Sequence, residues 1–199
     1  MQSNIVFGID VFIKEYQHYK SCKIALVTND AATTTEGILS RKALVDHGFK
    51  VVVLFGPEHG LHTTGDDGVA QNNGIDSITG LPIISLYGHQ MRPKPEDIEN
   101  IDIVLFDIPD IGCRFYTYVW TMTHVMEACA LSQKPMIVLD RPNPLGLDLQ
   151  NAEGPILEET TCASFIGRWS IPVRHQCTLG ELATYFAATR VENLELKVI

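Results

Sequence analysis

Four short runs of apolar residues recur along the chain, at positions 23–28, 50–55, 101–106 and 135–139, each nearly continuous and rich in β-branched side chains. Such runs predict strands buried on both faces of a parallel sheet, since a strand with one wet face would alternate instead. Weaker patterns of the same kind at 81–86 and 194–199 predict two further strands. Between the first two runs, Ile38, Leu39, Leu44 and Val45 mark the apolar face of a helix of about three turns, with Gly48 placed to end it. From Phe115 onward, Val119, Met122, Val125, Met126 and Cys129 follow helical spacing. Thr178-Leu179-Gly180-Glu181 matches a capping box ahead of Leu182, Ala183, Tyr185 and Phe186, so a third helix starts there. Strands alternating with helices predict an α/β fold: an open, mostly parallel sheet with helices on both faces and right-handed crossovers.

Two stretches escape this pattern. Residues 56–80 carry six glycines and few large apolar side chains, too long for a tight turn and therefore a candidate functional loop. Residues 141–161 are irregular as well. The chain stops on a strand pattern with no turn after it, which reads as part of something longer.

Composition narrows the function. With 199 residues, 45% of them hydrophobic and 20% charged, the chain has the makeup of one globular domain. Its net charge of -9 contains no basic run, which excludes the phosphate neutralisation that nucleic acids or anionic membranes require. No apolar run reaches the roughly 18 residues that a bilayer span needs, and the first residues show no leader pattern. The five cysteines, Cys22, Cys113, Cys129, Cys162 and Cys177, are widely spaced and predict free thiols rather than a disulfide framework or a zinc knuckle. Phosphate-loop, dinucleotide and serine-elbow signatures are all lacking, which demotes nucleotide binding and serine hydrolysis. A small, sugar-like ligand fits better.

In open parallel sheets the ligand lies beyond the carboxyl ends of the strands. Those ends read Thr28-Asn29-Asp30, Gly56-Pro57-Glu58-His59-Gly60, Asp107 through Arg114, and Asp140-Arg141-Pro142-Asn143-Pro144. Packing alone would be content with Gly, Ser or Ala there, so the polar ends predict a shared site. Glu58, held between Pro57 and a loop glycine after an apolar strand, is the strongest candidate, because a partly desolvated carboxyl suits general-acid work. His59 either orients it or binds ligand. Asp107 is expected to anchor loops by accepting backbone N–H bonds, and Asp110 to sit where a helix N-terminus stabilises a ligand or a cap. Arg114 offers a planar fork for a carboxylate, or pairs internally with Asp107 or Asp140. Tyr116 and Tyr118, two apart in a helix, would face different ways, so one of them should reach the site. Asp140 is expected to brace a loop stiffened by two prolines. Glu153, Arg174 and His175 lie in irregular segments free to return over the strand ends. His59 and His62, with Asp66 and Asp67, form a weak metal pattern, since a glycine-rich loop gives no helical scaffold for the pair.

With these residues assembled, the motifs Phe55-Gly56-Pro57-Glu58-His59-Gly60, Asp107 through Tyr118, Val138 through Pro144 and Ile171-Pro172-Val173-Arg174-His175 resemble the exo-β-N-acetylmuramidase (NamZ-type) family, formerly a domain of unknown function. The resemblance implies that residues 1–199 are a Rossmann-like N-terminal domain, followed in the family by a C-terminal domain, with the substrate in the cleft between them. It implies exo-hydrolysis of the bond from a terminal N-acetylmuramic acid to the next N-acetylglucosamine in peptidoglycan fragments, in the periplasm or at the cell surface, without cofactor or metal. Glu58 carries over as the catalytic acid. Asp110 and Glu153 are the candidates for its catalytic partner, and Asn29, His59, Asp107, Arg114, Tyr116, Arg141, Arg174 and His175 are candidates for substrate binding. The substrate's own acetamido oxygen is an alternative nucleophile. The sequence departs from the family pattern at Pro109, where Gln is usual, and at Gln176-Cys177, where Gly-Met is usual. Two other functions stay open: a sugar-binding module without turnover, and a metal-dependent hydrolase built on His59 and His62.

Overall fold

A computed structural model describes residues 5–66 and 68–199. In chain order the elements are α1 (Gly8–Glu15), a 3-10 turn (Gln17–Ser21), β1 (Ile24–Thr28), α2 (Ser40–Asp46), β2 (Val51–Gly56), β3 (Gly74–Ile75), β4 (Pro82–Ser85), α3 (Pro95–Ile98), β5 (Ile103–Asp107), α4 (Tyr118–Leu131), β6 (Met136–Val138), a second 3-10 turn (Leu149–Asn151), α5 (Glu159–Cys162), α6 (Leu179–Thr189) and β7 (Leu196–Val198).

The strands form one sheet in the order β3-β4-β2-β1-β5-β6-β7. All neighbours run parallel except β3, which pairs antiparallel with β4. Leaving β3 aside, the parallel strands follow the doubly wound order, which reverses direction between β1 and β5. Alternate residues of each strand feed opposite layers. Ala25, Val27, Val104 and Phe106 pack with Val119, Met122, Met126, Leu182 and Phe186 of α4 and α6. Ile24, Leu26, Ile103 and Leu105 pack with Ile9, Phe12 and Leu44 of α1 and α2. The continuous apolar runs of the sequence are the direct result, because both faces of every central strand are dry. Burying one such side chain stabilises the fold by about 1.5–3 kcal/mol.

The helices differ in detail from the pattern. α6 starts as expected: Thr178 Oγ1 accepts the Glu181 N–H at 3.1 Å and Glu181 Oε2 accepts the Thr178 N–H at 2.8 Å. Tyr185, however, lies on its exposed side. α4 begins at Tyr118, and Phe115 is exposed ahead of it. The expected face of α2 is wrong. That helix has only seven residues, Leu39 stands at its N-cap, Ile38 and Val45 are exposed, and the buried face is Ser40, Arg41, Ala43 and Leu44. Arg41 goes inside because two carboxylates meet it there: Asp76 Oδ2 lies 3.0 Å from its Nε and Asp30 Oδ1 2.7 Å from its Nη2. Gly48, at φ 81°, follows this helix as anticipated.

Candidate active site

The direction of the sheet reverses between β1 and β5, where Thr28 is paired with Asp107, and the polar strand ends gather around this point. Asn29 is buried, and its Oδ1 accepts the Ala31 N–H at 3.0 Å, which turns the chain sharply away from the sheet. After β2, a tight turn closes from Gly60 N to Pro57 O at 2.9 Å, with His59 at φ 66°. This turn leaves Glu58 only 8% exposed, and its Oε1 accepts the Gly68 N–H at 3.3 Å.

Two phenols flank that carboxylate. Tyr87, just beyond β4, hydrogen-bonds Glu58, and burial together with the Glu58 charge pushes its hydroxyl above the usual tyrosine range. Tyr118, at the start of α4, is pushed up further still by burial, by Tyr116 and by Glu58, although the nearby Asn29 amide opposes the shift. Both phenols therefore stay neutral and remain proton donors near neutral pH.

Tyr116 continues the chain of contacts. It hydrogen-bonds Tyr118, and the two rings meet edge to face at 4.7 Å between centroids. Burial, with the Asp110 charge added, raises its hydroxyl as well. The expectation that these tyrosines face different ways is corrected: Tyr116 precedes the helix, so helical spacing does not separate them. Asp110 Oδ2 accepts the Gly112 N–H at 2.8 Å. His175 Nε2 stands 3.2 Å from the same oxygen, an ion-pair contact without hydrogen-bond alignment, while its Nδ1 accepts the Cys177 N–H at 3.3 Å and so fixes the proton on Nε2. Asp110 Oδ1 has no partner among the described residues, although the side chain is only 6% exposed.

The Asp110 loop is held from below. Gly112, at φ 82°, lies against Asn143, whose Oδ1 accepts the Leu145 N–H and whose Nδ2 donates to Cys177 O, both at 2.9 Å. Residues 112–114 pair backbone to backbone with 173–175, through Arg114 N to Val173 O at 2.7 Å and His175 N to Gly112 O at 3.3 Å. Those pairings bring Arg174 and His175 back over the strand ends. Gln176, standing where the family motif carries glycine, is buried at φ 55° and donates from Nε2 to Leu145 O at 2.8 Å.

Several candidates are engaged elsewhere. Asp107 does not anchor backbone N–H groups: Arg141 grips it with Nε to Oδ1 at 2.6 Å and Nη2 to Oδ2 at 3.1 Å, and also donates to Thr33 O at 2.7 Å. The two charges satisfy each other in a buried pair. Among the described residues Arg114 meets no carboxylate; its Nη1 donates to Pro155 O at 2.7 Å and Ile171 O at 2.6 Å. Glu153 is 71% exposed at its side chain and pairs with Arg174 Nη1 at 3.5 Å. Arg174 also donates to Leu145 O, and its Nε has no hydrogen-bond partner among the described residues. Asp140 braces its loop, accepting from Thr178 Oγ1 at 2.7 Å and Gly180 N at 2.8 Å. His59 Nδ1 meets Gly65 O at 3.0 Å and His62 Nδ1 meets Asp30 Oδ2 at 3.1 Å. No three His, Cys, Asp or Glu side chains among the described residues gather as a metal-ligand set, and Asp67 lies outside those residues. Tyr87 follows one of the weaker parallel-strand patterns, at 81–86, so the rule of polar strand ends marks it less clearly than the others.

The chain matches the family described as exo-beta-N-acetylmuramidase NamZ, N-terminal, over residues 24–199. It is 44% identical over 194 residues to the peptidoglycan beta-N-acetylmuramidase NamZ of Bacillus subtilis (strain 168), covering 96% of this chain and 46% of that protein. Crystal structures of two DUF1343-family proteins from Bacteroides fragilis NCTC 9343 share the fold, one with a TM-score of 0.85 at 36% identity and the other with 0.83 at 33%. They cover 97% and 99% of this chain, which spans 49% and 52% of theirs. The chain thus spans about half the length of the relatives it matches. A doubly wound sheet with Glu58, Asp110 and His175 at its reversal point, matched over nearly its whole length, belongs to the exo-β-N-acetylmuramidase NamZ N-terminal family.

Proposed function

We propose that this domain supplies the catalytic acid of an exo-acting glycoside hydrolase that releases terminal N-acetylmuramic acid from peptidoglycan fragments. The observation that carries the reading is Glu58: a nearly buried carboxyl at the end of β2, flanked by two neutral phenols, in a chain of contacts reaching Asp110 and His175. A relative 44% identical bears the name peptidoglycan beta-N-acetylmuramidase, which supports the substrate class.

Glycosidases use a carboxylic acid to protonate the departing oxygen and a second group to meet the developing positive charge at the anomeric carbon. Glu58 takes the first role, with the Tyr87 and Gly68 donors fixing the orientation of its carboxyl. Asp110 takes the second role ahead of Glu153, because it is enclosed in the same chain of contacts whereas Glu153 faces solvent. With one oxygen held by the Gly112 N–H and the other unpartnered, Asp110 either acts on the anomeric carbon directly or orients the substrate's acetamide for internal attack. Arg174, whose only carboxylate is the exposed Glu153 at 3.5 Å and whose Nε has no hydrogen-bond partner among the described residues, pairs with the lactyl carboxylate that distinguishes muramic acid from glucosamine. The second domain of the family completes the cleft.

Glu58→Gln keeps the shape and removes the proton. Release of N-acetylmuramic acid should fall by about 10²–10⁴-fold with an unchanged thermal transition; turnover within a few-fold of the parent removes Glu58 from the role. The second reading, a module that holds the sugar without cleaving it, draws on Pro109, which brings neither a side-chain amide nor a backbone donor to the β5–α4 loop. Binding and turnover of one disaccharide, measured side by side, separate the two.

A further inference from the structure

Beyond β4 a cleft of about 410 Å³ lies along the sheet edge, its walls including Asn72, Asn73, Ser85, Tyr87, His89 and Lys94. That volume is in the range of small-ligand sites. The lining is side-chain amides and hydroxyls with one aromatic ring, one histidine and a single lysine. Neutral donors and acceptors around a ring face suit an uncharged, hydroxyl-rich ligand, whereas a carboxylate or phosphate would call for arginine forks. Asn73 is fixed in place, its Oδ1 accepting the Ser85 N–H at 2.9 Å.

Tyr87 joins this cleft to the acid: it forms part of the wall, and its hydroxyl lies beside Gly68, whose N–H donates to Glu58 Oε1 at 3.3 Å. The oxygen that an acid protonates departs with the sugar on the reducing side, so that sugar must lie on the acid's flank. The strand order β4-β2-β1-β5 sets the Asp110 loop, after β5, on the other side of Glu58 from this cleft, which follows β4. The anomeric carbon that Asp110 meets in the proposed reaction therefore lies away from the cleft, and the departing sugar toward it. Resting on the hydrolase reading above, we propose that this cleft seats the leaving group, an N-acetylhexosamine on the reducing side of the scissile bond.

Two substrates of the full-length polypeptide test the assignment: the N-acetylmuramic acid–N-acetylglucosamine disaccharide and an aryl β-glycoside of N-acetylmuramic acid, which lacks the second sugar. In Asn73→Ala and Lys94→Ala the ratio of kcat/KM for the disaccharide to that for the aryl glycoside should fall about tenfold, the worth of one lost hydrogen bond, and mainly through KM. Equal losses on both substrates would place the terminal sugar in the cleft, and no loss on either would leave the cleft unused; both outcomes overturn the proposal. Titration with N-acetylglucosamine followed by NMR reads the cleft without turnover. Amide shifts should concentrate in residues 71–73 and 85–90, and their absence overturns the assignment even in an active enzyme. A parent protein that shows these shifts but cleaves neither substrate would strike the hydrolase reading alone.

Discussion

Gly112→Ala probes the support beneath the Asp110 loop. At φ 82° an alanine enters the left-handed region at a cost of about 1–2 kcal/mol. Its Cβ would also stand 3.0 Å from Asn143 Cγ and closer still to Oδ1. Asn143 must then move and give up its bonds to Cys177 O and from Leu145 N, each worth about 0.5–1.5 kcal/mol. The expected destabilisation is about 2–5 kcal/mol, or roughly 5–20 °C in Tm for a domain of this size. Urea unfolding followed by tryptophan fluorescence measures it, and Trp120, whose Nε1 donates to Arg114 O at 2.8 Å, reports on the loop itself. Because the clash and the bonds share Asn143, the double variant Gly112→Ala/Asn143→Ala should cost less than the sum of the singles. A single-variant loss below about 1 kcal/mol, or strict additivity, would refute the argument.

Other consequences can be checked as directly. Burial alone would raise the Asp76 carboxyl, but the Thr79 hydroxyl and the Arg41 guanidinium outweigh it and hold it below the usual carboxylate range. Its stabilising contribution is thus present above the unfolded value and lost as pH falls through the folded one. Arg41→Met should cost about 3–5 kcal/mol at pH 7, because a fully buried carboxylate is left unpaired, and the gap to the parent should narrow toward pH 4 as Asp76 takes up a proton. A gap that stays constant in urea titrations at both pH values would contradict this. Burial pushes the Cys129 thiol up to about 12, whereas Cys162 is exposed. Native-state alkylation read by mass spectrometry should therefore modify Cys162 and spare Cys129 until the protein unfolds; early modification of Cys129 would show that α4 opens locally.

The sheet was legible in the sequence because a strand buried on both faces leaves no polar position to confuse it. β1, β2, β5 and β6 each fall within a residue or two of their apolar runs. α2 was misread for the opposite reason. What buries Arg41 is a carboxylate 35 residues away, and no local pattern carries that information. The same division runs through the site. That Glu58 and Asp110 share one edge follows from where the strands end, but that His175 joins them, that Asp107 belongs to Arg141, and Arg114 to two carbonyls, is settled by tertiary contacts alone. Tyr87 lies within reach of the same rule, at the end of the weak fourth strand.

The buried pair of Asp107 and Arg141 ties β5, the turn after β6 and the segment leading into α2 into one unit, because Arg141 also grips Thr33 O and Ser40 Oγ. The ground under the candidate site is thereby cross-braced from three directions, its central pair uniting one positive and one negative charge. Movement in this region must then be confined to what stands above this foundation, such as the glycine-rich segment after Glu58, while the foundation keeps its shape.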